Sequence, residues 1–328
     1  MHDFTVLVLP GAYASSVALT LDMLAAAVTN APRVKAPAPR WRVLCAGGAQ
    51  VPLSSGLQIT GKPLPKTPRA DHSIWVVPGM GLARPADLDA RFARPDAVQA
   101  IRALRCHARA GGAVAASCSS VFLLQAAGLL GGRKVTTTWW LASLLQRLEP
   151  DCTVDADRMV IDAGTIITAG AALAHTDLML HLLRRRFGPA LADAVARTLL
   201  IDARQAQSPF VVPALLAQGN ALIARLTAHV EAGLPRVPGM SELAAKFCMS
   251  ERTLARHVRA ATGRGPLALL QSVRLSKARL LLENSRLSVD EVATRVGYRD
   301  ATALRRLMRK STGATPRQFR SAVSAPTA

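Results

Sequence analysis

Cys118 lies where an apolar, strand-like segment meets a helix-like one. The segment beginning at Gly111 reads Gly-Gly-Ala-Val-Ala-Ala-Ser-Cys-Ser-Ser-Val-Phe-Leu-Leu. A strand, an abrupt turn and a helix in this order form a nucleophile elbow. Because a helix N-terminus offers free N–H groups and the positive end of the macrodipole, we expect a lowered pKa for the Cys118 thiol. The alternative is that Cys118 is a small buried apolar residue without a chemical role.

A second set of candidate functional residues consists of arginines in a module that occurs twice between Ser241 and Arg320. The string T-G-x-x-P recurs at an offset of fifty residues, as do a leucine and two arginines. The matched residues are Thr262, Gly263 and Pro266 with Thr312, Gly313 and Pro316, and Leu254, Arg256 and Arg259 with Leu304, Arg306 and Arg309. A repeat in such close register indicates duplicated structure. Two joined helix-turn-helix units could read two successive major grooves without a dimer.

Each module has an apolar face and an arginine-bearing face at helical spacing. We expect Ser241 to begin the first helix and Met249-Ser250 to form the first turn, with a single spacer helix over Pro266–Leu282. The residues expected to pack include Leu254, Val258 and Ala261 in the first copy, Leu304, Leu307 and Met308 in the second, and Leu270, Val273, Leu280 and Leu281 on the spacer. Arginine can bond bidentately to guanine or neutralise a phosphate. The alternative is an ordinary solvated helix face.

The elements that must position Cys118 alternate between strand and helix. Apolar runs predict strands at Thr5–Leu9, Trp41–Cys45, Ile74–Val77, Ala113–Ala116 and Ile166–Thr168. Helices are predicted at Val17–Val28, Asp96–Ala108, Ser119–Ala127 and Thr176–Phe187, with a mainly helical stretch from Ala190 to about Ala232. Such alternation is typical of a parallel α/β sheet buried on both faces. The glycines and prolines of residues 233–239 then predict a domain boundary.

Charge and cysteine usage restrict the partners and the compartment. Residues 236–328 contain 18 Lys+Arg against 6 Asp+Glu, a net +12, whereas residues 1–235 contain 23 against 15, a net +8. This concentration favours a polyanion, and the duplicated motif favours DNA. The five scattered cysteines include no C-x-x-C pair, as expected in a reducing cytoplasm. No signal sequence and no apolar run of the roughly 20 residues needed to span a bilayer is evident, so we expect no membrane partner.

The second copy resembles the signature of AraC-family regulators. From Val289 to Pro316 the chain reads V-x-x-V-A-x-x-V-G-Y-x-D-x-x-x-x-R-x-x-x-x-x-T-G-x-x-P. The resemblance implies a double helix-turn-helix, promoter binding and contact with RNA polymerase. It implies base-edge reading by Arg252, Ala255 and Arg256 in the first copy and by Ala301, Thr302 and Arg305 in the second, and it places Arg306 near the DNA. Helical spacing adds Arg259 and Arg309 to the DNA-facing set, in which we also include Thr253. Leu304 and Met308 replace frequent aromatics at packed positions.

Most of residues 4–190 resembles the ThiJ/PfpI class I glutamine amidotransferase-like domain of GlxA-family regulators. The Cys118 segment and the stretch from Ala127 to Trp140 carry this resemblance. It implies a flavodoxin-like α/β domain with a parallel sheet sandwiched by helices, followed by an all-α domain with two helix-turn-helix motifs. The expected domains are residues 1–190, a helical linker at 191–235 and a DNA-binding domain at 236–328.

The chain departs from the hydrolytic members of that family around the elbow. Those members have T-T-H-W, where this chain has Thr136-Thr137-Thr138-Trp139, and Thr138 cannot act as a general base near neutral pH. Asp22 is expected in the acidic position, and Ser120 replaces a frequent glycine. His107, His175 and His181 remain as substitute bases, although each is more often structural. We therefore expect no catalytic residue, no metal and no cofactor.

These patterns predict a cytoplasmic transcription regulator, an activator, whose elbow binds a small-molecule effector. The expected pocket comprises Asp22, Gly79, Met80, Cys118, Ser119, Thr138 and Trp139. The Pro78-Gly79-Met80 loop could present N–H groups to a carbonyl or carboxylate, and Trp139 could pack an apolar or cationic group. Resemblance adds amine-containing metabolites as effectors. We expect the helices of residues 190–232 to act as the relay between the domains and as the surface of a homodimer. The alternative is a cysteine-dependent hydrolase, hydratase or glyoxalase with a basic DNA-binding tail.

Overall fold

The chain divides into two compact units, Met1–Gln205 and Ala206–Ala328. The computed structural model describes residues 2–66, 71–82, 86–202, 207, 221–312 and 315–319. The part of the expected linker at 203–206 and 208–220, and Gly313 of the second T-G-x-x-P string, lie outside the described residues.

Unit 1 is built on a twisted sheet whose central strands are buried along their whole length. Its strands are β1 Phe4–Val8, β2 Trp41–Cys45, β3 Gln50–Pro52, β4 Gln58–Thr60, β5 Lys62–Pro63, β6 Ile74–Val77, β7 Val114–Ser117, β8 Lys134–Val135, β9 Thr153–Val154, β10 Val160–Ala163 and β11 Ile166–Ala169. Seven of them form one sheet in the order β10-β11-β7-β6-β1-β2-β5. Every neighbouring pair is parallel except β10 with β11.

Helices cover both faces of this sheet. They are α1 Ala14–Asn30, α2 Ala86–Phe92, α3 Pro95–Arg109, α4 Val121–Ala126, α5 Ala142–Leu148, α6 Ala174–Phe187 and α7 Pro189–Thr198. Alternate residues of β1 point to opposite faces: Phe4, Val6 and Val8 pack with α1, α6 and α7, and Leu7 packs with α3 and α4. Both sides of the strand are therefore apolar, which explains its unbroken hydrophobic run.

The predicted fold of unit 1 is confirmed, including the five long strands and the helices between them. The sequence did not indicate the antiparallel edge strand β10 or the two-residue strands, because short edge pairings carry little hydrophobic pattern. The stretch Ala14–Val34 is long and apolar enough to cross a membrane by length and composition, and 44% of it is buried inside the protein. Its apolar residues Val17, Met23 and Leu24 lie in the core.

The described residues of unit 2 are helical and form two copies of a three-helix module. Its helices are α8 Ala221–Gly233, α9 Met240–Lys246, α10 Glu251–Thr262, α11 Pro266–Asn284, α12 Val289–Arg295 and α13 Ala301–Thr312, with a final 3-10 turn at Pro316–Phe319. At the fifty-residue offset α10 coincides with α13, α9 nearly coincides with α12, and α8 overlaps α11. The duplication therefore includes one helix more than the sequence repeat indicated.

Several boundaries differ from those expected. Helix α7 packs on α1 and α6 in unit 1, and α8 packs on α11 in unit 2, so neither belongs to a separate linker. Helix α9 starts at Met240 with Gly239 as its N-cap, not at Ser241. On α11 the predicted contact residue Leu280 is 49% exposed, while Leu270 and Val273 are buried as expected. Helix α11 confirms the prediction of a single spacer helix between the two helix-turn-helix units.

Candidate functional site

Cys118 sits in a strained turn between β7 and α4. Its φ of 55° is in the left-handed region, which a residue with a side chain adopts only under constraint from its surroundings. A 3-10 turn over Cys118–Ser120 follows, and α4 begins at Val121. Thr137 Oγ1 donates to the Cys118 carbonyl oxygen over 2.7 Å, and Cys118 N donates to Gly170 O over 2.8 Å. The nucleophile-elbow geometry is present.

Five residues expected in the pocket with Cys118 lie at the same edge of the sheet. A Cβ on Gly79 would lie 2.9 Å from the Cys118 Cβ, so the backbone after β6 runs directly beside the elbow. Ser119 Oγ donates to Met80 O over 2.8 Å. The Thr138 side chain lies beside the Cys118 sulfur. Buried Trp139 makes an edge-to-face contact with Trp140, with centroids 5.0 Å apart.

The expectation that Asp22 lines the pocket at the elbow is wrong. It lies on the exposed side of α1, whereas Ser16 and Thr20 occupy the side of that helix that is buried in the unit. Residues separated by two positions on a helix point in nearly opposite directions, so the register of α1 carries the Asp22 carboxylate away from the side chains that Ser16 and Thr20 bury. The structure therefore gives the elbow no acidic partner at this position.

The expected lowering of the Cys118 pKa is wrong. The sulfur is fully buried, and this loss of solvation raises the pKa of the thiol to about 11, against the smaller opposing effects of the Ser119 N–H, the Ser119 hydroxyl and the Thr138 hydroxyl. Helix α4 has only six residues, so its dipole is too small to reverse the burial effect. At neutral pH Cys118 is a protonated thiol, which is a poor nucleophile.

His175 is the candidate base that lies nearest the elbow, but its hydrogen bonds occupy both ring nitrogens. His175 Nδ1 is 2.8 Å from Ser117 Oγ, and Nε2 is 2.6 Å from Thr20 Oγ1. Because the Thr20 hydroxyl donates its proton to Ser16 O over 2.8 Å, Nε2 carries the imidazole proton and Nδ1 accepts from Ser117. Burial lowers the pKa of His175 to about 4, so the ring is neutral and structural.

The other two histidines have different surroundings. His107 is buried and stacks on Trp75 with centroids 4.8 Å apart, and burial lowers its pKa. His181 lies 2.8 Å from an oxygen of Asp162 on the exposed surface. In the described residues, neither histidine contacts Cys118.

Sequence reasoning missed Tyr13, which also belongs to this edge. Tyr13 N donates to Gly79 O over 2.8 Å, and burial together with the nearby Cys118 raises the pKa of its phenol. It follows β1, whose carboxyl end lies beside that of β6. Loops after adjacent parallel strands converge, and that rule could have indicated Tyr13 once the strand order was known.

The second candidate site is the outer face of α10 and α13. Arg252, Arg256 and Arg259 are exposed on α10, while Leu254 and Val258 on the opposite face are buried. On α13 a groove of about 500 Å³ is lined by Thr302, Arg305, Arg306, Arg309 and Thr315. Both helices thus present a matched set of arginines away from their packed faces.

Three smaller residues of this face behave differently from the arginines. Ala301 is 2% exposed and packs in the core of the second module, so the expectation that it reads a base edge is wrong. Ala255 is half-buried. Thr253 is tied to the start of α10, where its N–H donates to the Ser250 side chain over 3.2 Å and its hydroxyl accepts from Ser250 over 2.9 Å. The spacing of apolar residues along a helix does not show whether a small residue at its start, such as Ala301, is buried.

Comparisons with known proteins match each of the two units to a family. Residues 28–185 match the DJ-1/PfpI family and residues 243–322 match a helix-turn-helix domain. The chain is 30% identical over 290 residues to the HTH-type transcriptional regulator GlxA of Rhizobium meliloti, covering 84% of each chain. It is 28% identical over 322 residues to the regulator CdhR of Pseudomonas aeruginosa, covering 97% of this chain and 91% of the relative. A THiJ/PfpI family structure from Pseudomonas syringae aligns with a TM-score of 0.50 and 15% identity, over 83% of this chain and 91% of that one.

A DJ-1/PfpI unit joined to a duplicated helix-turn-helix unit defines an AraC-type, DNA-binding transcription regulator. The fold of each unit, the paired arginine faces and the matching relatives all indicate this class. Within the class, the chain belongs to the GlxA family of HTH-type transcriptional regulators.

We predict that the Cys118 thiol is unreactive in the folded protein. With a pKa of about 11, roughly one thiol in a thousand is ionised at pH 8. Peptide mass spectrometry after brief iodoacetamide treatment should find exposed Cys106 and Cys248 alkylated and Cys118 unmodified until denaturant is added. Fast alkylation of Cys118 at pH 7, or turnover of glyoxals or small amides that disappears in Cys118→Ala, would contradict a buried, unreactive thiol.

We predict that unit 1 loses stability on acidification because His175 resists protonation. Below pH 6.5 the unfolded chain binds a proton at this position, whereas the folded chain does so only near its pKa of about 4. Stability is therefore full above pH 6.5 and falls by on the order of 3 kcal/mol between pH 6.5 and pH 4. Urea titrations followed by tryptophan fluorescence report on unit 1 alone, since all four tryptophans lie there.

The variant His175→Gln removes the titrating group and should show a shallower fall over the same pH range. His257→Gln, at an exposed position of unit 2, serves as the matched control and should behave as the wild type. Equal acid sensitivity in wild type and His175→Gln would show that this imidazole does not control the pH dependence.

Proposed function

We propose that the arginine faces of α10 and α13 bind two half-sites of one promoter. The main evidence is that two arginines are exposed at equivalent positions of each helix, on the face opposite a buried leucine. These are Arg256 and Arg259 on α10 and Arg306 and Arg309 on α13. Exposed arginines on the second helix of a helix-turn-helix are suited to guanine edges and phosphates. The excess of positive charge in residues 236–328 supports the same partner.

We further propose that the Cys118 elbow binds a small effector and does not turn it over. The Thr138 hydroxyl is fully buried and makes no hydrogen bond of normal geometry with any residue that the structure describes. Its polar neighbour is the Cys118 thiol, a weak hydrogen-bonding group, and a ligand with a carbonyl or carboxylate oxygen would satisfy the hydroxyl better. The protonated thiol and the occupied His175 ring support binding without catalysis.

The remaining parts of the proposal concern how the two units act together. The effector, for which small amine-containing metabolites are the first candidates, would bind one arrangement of the units more tightly than another and so change promoter occupancy. The promoter-bound protein would act in the cytoplasm as a homodimer that contacts RNA polymerase as an activator. Transcription from the bound promoter with purified polymerase would test activation directly.

Replacing a base-reading arginine should weaken binding to the selected promoter site. We expect Arg256→Ala and Arg305→Ala each to lose about 1–3 kcal/mol on that site and much less on random duplexes, if each bonds a guanine. Fluorescence anisotropy at one fixed salt concentration measures both. Arg236→Ala is the matched control, since Arg236 is 81% exposed but lies outside both recognition helices. Equal binding of the wild type to every duplex would overturn the assignment of sequence-specific reading.

An effector bound at the elbow should lose its contact in Thr138→Val. This change removes a hydroxyl that makes no hydrogen bond of normal geometry in the described residues, so the protein should stay folded while ligand binding falls. In a thermal-shift screen of small amines, amino acids and 2-oxo acids, a ligand at 100 times its Kd should stabilise the wild type by about 2.7 kcal/mol. Asp22→Asn should keep this shift because Asp22 is exposed on α1. An undiminished shift in Thr138→Val would place the effector elsewhere.

A further inference from the structure

The turn of the second helix-turn-helix is in close contact with the chain segment that joins α8 to α9. Gly297 ends α12 with a φ of 81°, which favours glycine. A Cβ at this position would lie 2.3 Å from Pro235 O and 2.9 Å from Val237 Cγ2. The Pro235 backbone therefore rests directly on the turn, and no side chain fits between them.

Arg274, from the spacer helix α11, also holds this turn. Its Nε donates to Val296 O over 2.8 Å, and an Nη donates to Gly297 O over 2.7 Å. Its guanidinium carbon lies 3.5 Å from the centre of the Tyr298 ring. These carbonyls follow the last turn of α12, where no intrahelical donor remains, and a planar guanidinium can satisfy both at once.

The two elements that hold the turn are themselves packed together. Helix α8, which leads into Pro235, packs on α11, which bears Arg274. Leu226 and Val230 of α8 are buried, and Glu231 lies 3.3 Å from Lys277 of α11. The second turn is therefore joined to the first module directly at Pro235, and indirectly through Arg274, whose helix α11 packs on α8.

The corresponding turn of the first module is built differently. Because α9 starts at Met240 and α12 at Val289, the left-handed Cys248, with a φ of 54°, corresponds to Gly297, and Phe247 corresponds to Val296. The Phe247 ring lies 5.5 Å from the guanidinium carbon of Arg225 and 6.3 Å from the centre of the His229 ring. Within residues 221–312 the structure shows no arginine bonded to the carbonyls of this first turn. Among the described residues the bidentate contact is therefore found at the second turn and is not a requirement of each helix-turn-helix.

We propose that Arg274 and Gly297 are positioning residues that fix α13 relative to α10 and so set the spacing between DNA half-sites that the protein accepts. Neither residue is on the arginine face, so both act through the orientation of the recognition helices. A rigid junction penalises any duplex whose half-sites are displaced or rotated, because one helix must then leave its groove. The inference rests on the proposed reading of two half-sites.

Binding to duplexes of altered spacing tests the proposal with the full chain. A bipartite site is first selected from random duplexes with the wild type, and Kd is then measured with the spacer changed by one or two base pairs. We expect the wild type to prefer one spacing by more than about tenfold, and Arg274→Lys and Gly297→Ala to reduce that preference to within about threefold. Affinity for the first half-site alone should be unchanged.

The controls separate positioning from folding and from the proposed function itself. Arg286→Lys changes an exposed arginine between α11 and α12 and should keep the wild-type preference. If Gly297→Ala does not fold, Arg274→Lys and the milder Val237→Ala, which removes the Cγ2 contact, decide the question. Variants that weaken every spacing by one common factor would overturn the inference. A wild type that selects no sequence would instead overturn the proposed DNA reading.

Discussion

The close approach of β6 and β7 at Gly79 and Cys118 is the constraint on which the site in unit 1 depends. Because no Cβ fits at Gly79, the loop after β6 lies against the elbow, closes over the Cys118 sulfur and brings Met80 to within reach of the Ser119 hydroxyl. The same packing excludes water from the thiol. Cys118 has a left-handed backbone conformation at this close approach.

Exclusion of water determines the chemistry that remains. It raises the pKa of Cys118 and lowers that of His175, so that both groups are neutral near pH 7. In the related hydrolytic architecture an elbow cysteine needs a base, and here the nearest imidazole is held beneath the strand by Ser117 and Thr20. The elbow is preserved as a shape, while in the described surroundings its thiol is protonated and the imidazole beside it is neutral.

In unit 2 the corresponding constraint is the junction between two copies of a three-helix module. Each copy buries a leucine at the same point of its recognition helix and exposes arginines opposite. The junction adds a contact that neither copy has by itself, since Pro235 of the first copy rests on the second turn, which Arg274 of the second copy also holds. Duplication thus supplies the reading surfaces, and the junction supplies their relative position.

The sequence by itself determined the parallel sheet, the elbow, the duplicated module and the family, because strand-length apolar runs, helical spacing and a fifty-residue repeat are local patterns. It failed at Asp22, Ala301 and the Cys118 pKa, and it did not indicate Tyr13 or the role of Arg274. These depend on which face of a helix meets the core, on how much water reaches a thiol and on which loops converge after the strands are ordered. Only the tertiary structure decides such properties, since solvation and contact between distant segments are not encoded in the spacing of neighbouring residues.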